Sequence, residues 1–553
     1  MYNCGLLLLS TALHKQTISP LLLHAAKVVG NKLLLSIPVV SNSFSYWKNA
    51  VFLCYNAATE VCPSLDVNLV LPQQVRGNCS FDFDVVITNN ENVDWALEQA
   101  RSLHPAYDKK VIYANLGLDL PNTPSVFHVE DDHTLVGERY TDVCLGGTFD
   151  RLHNGHKILL SVGALLARNR LLAGVTTDSM LKNKHLAPLI LSVGSRCAGV
   201  RSFLSTIGFP VSKLEVTELR DAFGPPAYRP EYRCIVASAE SVPNCNKLNE
   251  LRRANGLDRL DIERIDLVTD SCPRSTPVPV ELDESKLSSS TNRFHLLGSL
   301  LRPVNLMADK ANRNPDAPYV IGLAGPSGAG KSALARRLAQ LSKRVHVIDC
   351  DRLGHEAYRP GTACHKALID HFGLNTIASP EPPHPIDRSR LGKLVFSDAA
   401  RLQELNAIVW PEIERLVVEK LEQLHPNTAD LKRDPATRPI VILDAAVLLP
   451  AGWDKICHEV WIAVLPRQEA QRRICERANL DPDSANERLL RQATAVAEAT
   501  GGLDWWDVGQ IDTGLGPLGR AHVVLSTQWE PECSQLQVCK AFRALENRLS
   551  SIR

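Results

Sequence analysis

The chain reads as an α/β protein of parallel sheets wrapped by helices, and three observations predict it. Two stretches pass from a short apolar run through a glycine turn into a helix-forming segment: Thr141–Leu166, TDVCLGGTFDRLHNGHKILLSVGALL, and Tyr319–Ser332, YVIGLAGPSGAGKS. Ahead of both, Val67–Leu71, Asp84–Thr88 and Lys110–Ala114 read as strands around a helix at Val93–Leu103. At 553 residues, about two to four domains with sizeable cores are expected.

The balance of 61 basic and 61 acidic residues gives zero net charge, which favours neither a nucleic acid nor an anionic membrane surface as the general partner. The 15 cysteines show no C-x-x-C pair and no cysteine/histidine cluster at zinc spacing. Reduced thiols in a cytosol-like compartment are therefore expected, without disulfides or structural zinc.

The first residues are unusual. No acidic residue precedes Glu60, no arginine occurs there, and Lys15, Lys27, Lys32 and Lys48 punctuate apolar runs such as Leu6–Leu9 and Leu21–Ala26. Those runs are too short to span a bilayer. Two readings stand open: a mitochondrial targeting or peripheral membrane-surface segment, or the first helices and strand of a domain. The expected division is an acid-free leader at 1–58 and an α/β region without an assigned role at 59–139.

In the first glycine stretch, Val143–Leu145 reads as a buried parallel strand, Gly146–Gly147 as the turn before Thr148, and Lys157–Leu166 as an apolar helix. His153 and His156, three apart at the helix start, face one side, and Gly155 leaves room for adenine or phosphate against backbone. Two histidines at a helix N-terminus suit an α-phosphate. Incidental surface histidines are the alternative.

In the second, Gly325, Gly330, Lys331 and Ser332 complete G-x-x-x-x-G-K-[ST], with Pro326, Ser327, Gly328 and Ala329 between. Bare N–H groups and the dipole of a helix at Ala333–Leu341 favour a nucleotide triphosphate, with Lys331 on the β/γ-phosphates and Ser332 on Mg²⁺. Arg344–Ile348 is a strand delivering Asp349 and Asp351, one to take a hydroxyl proton and one to support Mg²⁺. Spacing does not choose between them. Ile440–Leu449 is a buried strand that brings Asp444 beside the nucleotide, to touch Mg²⁺ through water or to orient the acceptor. Proline-bearing segments at Ser271–Glu284 and Arg302–Pro318 read as a loop and an interdomain linker.

GGTFDRLHNGH resembles the signature of nucleotidyltransferases with a His-x-Gly-His motif, specifically phosphopantetheine adenylyltransferases, and the later half resembles dephospho-coenzyme A kinases. Fused in this order, from about Tyr140 to the C-terminus, they resemble the bifunctional coenzyme A synthase family. The resemblance implies a Rossmann-like nucleotidyltransferase domain at 140–302, a linker at 303–318 and a P-loop kinase domain at 319–553. It implies roles for Lys182 in a mobile loop over the triphosphate, for Arg196 and Glu240 near the substrates, and for Ser288, Ser289, Ser290, Thr291 and Arg293 at a helix start receiving the β/γ-phosphates. In the kinase half it implies Asp351 as the base and a lid at Glu469–Gln492 closing Arg477 and Arg488 on ATP. Thr494–Arg520 departs from the family pattern as an insertion.

The implied chemistry uses ATP, 4′-phosphopantetheine and dephospho-coenzyme A, with Mg²⁺. Adenylyl transfer gives dephospho-coenzyme A and pyrophosphate; phosphorylation of its ribose 3′-hydroxyl then gives coenzyme A. His156, Lys182, Lys331 and Asp351 are the expected catalytic residues. The rival readings are a P-loop switch or scaffold protein, and an enzyme in which one half is only a nucleotide-binding module. A cytoplasmic location with mitochondrial association is expected; oligomeric state is left open.

Overall fold

The computed structural model describes residues 1–10, 13–77, 79–115, 135–266, 268, 279, 282, 287–304, 317–396, 398–424 and 438–550. The chain forms two compact units, one of Met1–His185 with Leu191–Asn292 and one of Leu186–Ile190 with Arg293–Arg553. Most of the predicted loop at Ser271–Glu284 and linker residues 305–316 lie outside the described residues.

The first unit holds two parallel sheets. In chain order the first contributes β1 (Tyr2–Leu8), α1 (Lys15–Val28), β2 (Val29–Ser36), α2 (Phe44–Val61), β3 (Asp66–Leu69), β4 (Val85–Thr88), α3 (Val93–Leu103) and β5 (Lys110–Tyr113). Its strands lie in the order β3-β2-β1-β4-β5. The Leu6–Leu9 run is β1 and its end: Leu7 and Leu9 face the core shared with α1 and α2, while Leu6 and Leu8 face Ala96 and Ala100 of α3. Burial on both faces explains why the run carries no charge. The opening residues therefore begin a domain core, and the boundary expected at residue 58 falls inside α2. No helix among the described residues is long and apolar enough to cross a membrane.

The second sheet follows with β6 (Tyr140–Gly147), α4 (Asn154–Leu166), β7 (Ala167–Thr176), α5 (Val193–Thr206), β8 (Leu214–Leu219), β9 (Tyr232–Ser238), α6 (Val242–Ala254), β10 (Asp261–Ile265) and α7 (Ser289–Leu296). The order is β10-β9-β6-β7-β8, all parallel. Every residue of α4 from Lys157 to Leu166 is buried, because α2 packs on it from the side away from its own sheet. On its other side Gly163 lets α4 lie close on its own sheet: a Cβ there would lie 2.7 Å from Leu145 Cδ2 of β6.

The second unit's sheet has strands β11 (Tyr319–Ala324), β12 (Val345–Asp349), β13 (Ile440–Asp444), β14 (Glu459–Val464) and β15 (Val523–Ser526), in the order β12-β13-β11-β14-β15. The predicted strand Ile440–Leu449 ends at Asp444, where the chain turns. Glu459, fully buried, accepts from Tyr319 Oη, Trp461 Nε1 and Arg548 Nη2 at 2.7–2.8 Å, tying two strands to the C-terminal helix Pro531–Ser550. Residues beyond Asn292 that were expected in the first catalytic domain pack here instead: Gly298 N donates to Val524 O, and Lys540 Nζ donates to His295 O and Leu297 O. The insertion is packed. Its first residues complete the helix Pro482–Thr500, and Gln510, fully buried, donates to Asp504 O and Asp507 O and accepts from Leu518 N.

Candidate active sites

The first site forms at the carboxyl end of β6, the central strand, where connections leave toward β7 on one side and β9 on the other. Such switch points open a crevice for a ligand. The turn after β6 is tightly specified. Phe149 and Arg151 hold φ of 51° and 45°, and the buried Asp150 accepts from Leu191 N and Arg151 Nη1 at 3.1 Å each. Ser289 Oγ donates to Asp150 O at 3.0 Å, and Ser288 Oγ caps α7 by accepting from Thr291 N. Ser290 lies in the first turn of α7, whereas Arg293, 1% exposed, belongs to the second unit.

His153 N-caps α4 and His156 occupies its first turn; the rings stack with centroids 3.8 Å apart and planes at 29°, beside the Phe149 ring at 5.4 Å. Gly155 makes the stack possible, since a Cβ there would press to 3.1 Å from His153 Nδ1. The glycine thus makes room for the His153 ring. Burial, and then the charge of Lys184, push His156 down to about 4, and burial followed by His156 holds His153 well below the usual histidine range. Both imidazoles are neutral at pH 7, each with one donor and one acceptor nitrogen. His153 Nδ1 is buried without a hydrogen-bond partner.

Of the two loop lysines, Lys184 is the one whose charge reaches His156; Lys182 lies exposed in the same turn. Glu240 is exposed just past the end of β9. Arg196 is spent inside the scaffold: its Nε donates to Leu191 O, its Nη1 to Thr148 O and Thr176 O at 2.7 and 2.8 Å, and its Nη2 to Asp178. At 1% exposure it fastens the strand-end turns, a correction to its expected contact with substrate.

The second site forms at the carboxyl ends of β11, β12 and β13. Gly325, Gly328 and Gly330 take φ of 147°, 81° and 73°, a path closed to residues with a Cβ, and Lys331 opens the helix Lys331–Leu341. Pro326, Ser327 and Ala329 line the buried side of the loop. Lys331 Nζ donates to Gly325 O and Pro326 O at 2.9 and 3.1 Å. Burial lowers its pKa, Asp444 and Asp351 oppose that, and Arg477 and Arg488 reinforce it. Five predicted residues are thus within electrostatic reach of one another. Asp444, pushed up by burial, hydrogen-bonds Ser332 and sits beside Asp349 as its register partner between β12 and β13.

Asp349 and Asp351 are not equivalent. Asp349 N-caps the helix Cys350–Ala357, accepting from Arg352 N at 2.9 Å, whereas Asp351 is exposed in its first turn. The lid arginines divide too. Arg472 pairs with Glu469 and Glu476, and Arg473 donates to Gly328 O and to Thr527, bracing the loop, while Arg477 and Arg488 act on Lys331. Gln492 clasps the loop by accepting from Ser327 N and donating to Ser327 Oγ, 2.9 Å each. No sequence signal separates Arg473 from its neighbours except Glu469 one turn earlier.

A glycine loop opening a helix, flanked by strand-end carboxylates and arginine-bearing helices, defines the second unit as a P-loop phosphotransferase. A family model described as dephospho-CoA kinase matches residues 319–502, and one described as cytidylyltransferase-like matches residues 144–293. A dephospho-CoA kinase of Geobacter sulfurreducens is 33% identical over 183 residues, 33% of this chain and 86% of that protein. Another, of Symbiobacterium thermophilum, is 28% identical over 39% of this chain and 81% of its own length. The chain belongs to the dephospho-CoA kinase family, and carries a cytidylyltransferase-like domain ahead of the kinase. That domain resembles a phosphopantetheine adenylyltransferase of Saccharomyces cerevisiae, 31% identical over 32% of this chain; the match spans 53%, about half, of the yeast protein.

Proposed function

We propose that the chain performs the last two steps of coenzyme A biosynthesis, adenylyl transfer from ATP to 4′-phosphopantetheine and then phosphorylation of the dephospho-coenzyme A ribose 3′-hydroxyl. The observation that carries this reading is the presence in one chain of two phosphate sites, each resembling one of those two enzymes.

In the first step the substrate phosphate attacks the α-phosphate of ATP, and pyrophosphate leaves. The nucleophile is already ionised, so the site needs positioned donors more than a base. His153 and His156 offer neutral N–H groups at the start of α4, with Lys182, Lys184 and the Ser288–Thr291 helix start around the departing phosphates. In the second step Asp351 takes the ribose hydroxyl proton, and Lys331, Arg477 and Arg488 stabilise charge on the transferring γ-phosphoryl group.

The hydrogen-bonded Ser332 and Asp444, with Asp349 alongside, present hard oxygens that fit a Mg²⁺ accompanying ATP. Among the described residues no group of three or more His, Cys, Asp or Glu could hold a metal. When bound, the ion would supply charge neutralisation at the phosphates. The test is to incubate the purified chain with 4′-phosphopantetheine and MgATP and follow products by mass. Sequential appearance of dephospho-coenzyme A and coenzyme A is expected; no product heavier than 4′-phosphopantetheine would overturn the reading.

A further inference from the structure

The two sheets of the first unit share one topology. Numbered within each, the strands run third, second, first, fourth, fifth, all parallel. In each, the first strand leads to a helix whose N-cap is a histidine, His14 or His153, and the second strand begins at the very next residue after the helix. The chemistry is not shared. Where β6 ends in Gly146–Gly147, β1 ends in Leu7–Leu8; where α4 has Gly155 and His156, α1 has Gln16 and Thr17. The N-terminal domain repeats the transferase fold without its phosphate-binding residues.

What it does touch is the start of α4. Asn154 Nδ2 donates to Thr59 Oγ1 at 2.8 Å and to Tyr55 O at 3.3 Å, both on α2. Lys157, 5% exposed, donates to Val67 O at 2.7 Å and pairs with Asp66, with its Nζ over the Tyr55 ring. Asn154 and Lys157 are three apart and share one helix face; His153 and His156 are three apart on the neighbouring one. A buried ammonium costs several kcal/mol unless it is paired and hydrogen-bonded. Lys157 therefore stays inside only while Asp66 and Val67 O receive it, and the first turn of α4 is held in place by the N-terminal domain.

We infer that the N-terminal domain is a catalytically silent repeat of the transferase fold that positions His153 and His156, with Asn154 and Lys157 as the positioning residues. The inference rests on reading residues 144–293 as the adenylyltransferase. It predicts that Lys157→Met in the full chain lowers adenylyl-transfer kcat by about 10- to 100-fold, the scale of a small misplacement of catalytic groups, with the KM for ATP little changed. Phosphorylation of supplied dephospho-coenzyme A should be untouched.

Asp66→Asn, at the half-exposed end of the pair, serves as a milder variant should Lys157→Met fold poorly, and the double variant should be no slower than Lys157→Met alone. Hydrogen exchange over residues 149–160 reads the brace without reference to activity, and should accelerate in both single variants. If the wild-type chain made no dephospho-coenzyme A, the functional reading would fail while exchange still judged the brace. Unchanged kcat and exchange, or parallel changes in kcat, KM and global stability, would overturn the positioning role.

Discussion

The two phosphate sites share a construction and differ in charge. Each places a turn after the central strand of a parallel sheet, with a helix start pointing into the crevice. The first presents stacked imidazoles that burial keeps neutral; the second gathers Lys331, Arg477 and Arg488 against Asp351 and Asp444. The difference follows the nucleophile each site is proposed to serve. A phosphate needs no deprotonation, whereas a ribose hydroxyl must lose a proton, so a free carboxylate has a use only in the second.

The strongest way to break that contrast is at the carboxylates. Asp351→Asn is expected to lower kinase turnover by about 10²–10⁴-fold, the usual span of general-base help, while ATP binding survives. Asp349→Asn keeps an oxygen to cap the helix and should act through weakened metal dependence, partly restored by higher Mg²⁺. Turnover measured against Mg²⁺ for both variants separates the roles, and a Mg²⁺-insensitive loss confined to Asp349→Asn would reverse them. Next in size, Lys331→Ala should stop product formation at dephospho-coenzyme A, and His156→Ala should remove that intermediate yet spare phosphorylation of it when supplied. Each should cost about 10²–10³-fold in its own reaction, as for loss of one transition-state donor. Loss of both activities from either folded variant would end the two-site reading.

A smaller effect sharpens the role of Arg196. Arg196→Met leaves three part-buried carbonyls without that donor, and should destabilise the fold by about 1–3 kcal/mol in urea titration. A rise in the KM for ATP without loss of stability would instead return Arg196 to the substrate. The smallest effect is a pH dependence. His156 binds its proton near pH 4 in the folded chain and near 6.5 when unfolded, so between those values the unfolded state takes up the extra proton. Its stabilising contribution is complete above about pH 6.5 and is lost as pH falls toward 4. His156→Gln should flatten that part of the stability profile, and an unchanged slope would show that His156 is not buried neutral.

Residue order alone made the local chemistry legible. The glycine loop with Lys331 and Ser332, the histidines three apart, and the strand-end position of Asp349 follow from short-range rules: positive φ needs glycine, and helix and strand periods decide which neighbours share a face. Those rules also made the helix at Val93–Leu103 readable residue by residue. What they do not reach is the partner of a side chain. Arg196 looked available to substrate until Thr148, Thr176 and Leu191 came round it, and the effect of Lys184 on His156 shows only in the folded chain. The acid-free opening read equally as a leader or a core, because its apolar runs are short and only pairing of β1 with β2 and β4 buries both faces. Hydrogen-bond partners 90 or more residues apart, such as Lys157 and Asp66, exist only once the sheets are assembled, and that assembly decided which charges are spent on the scaffold and which are left for substrate.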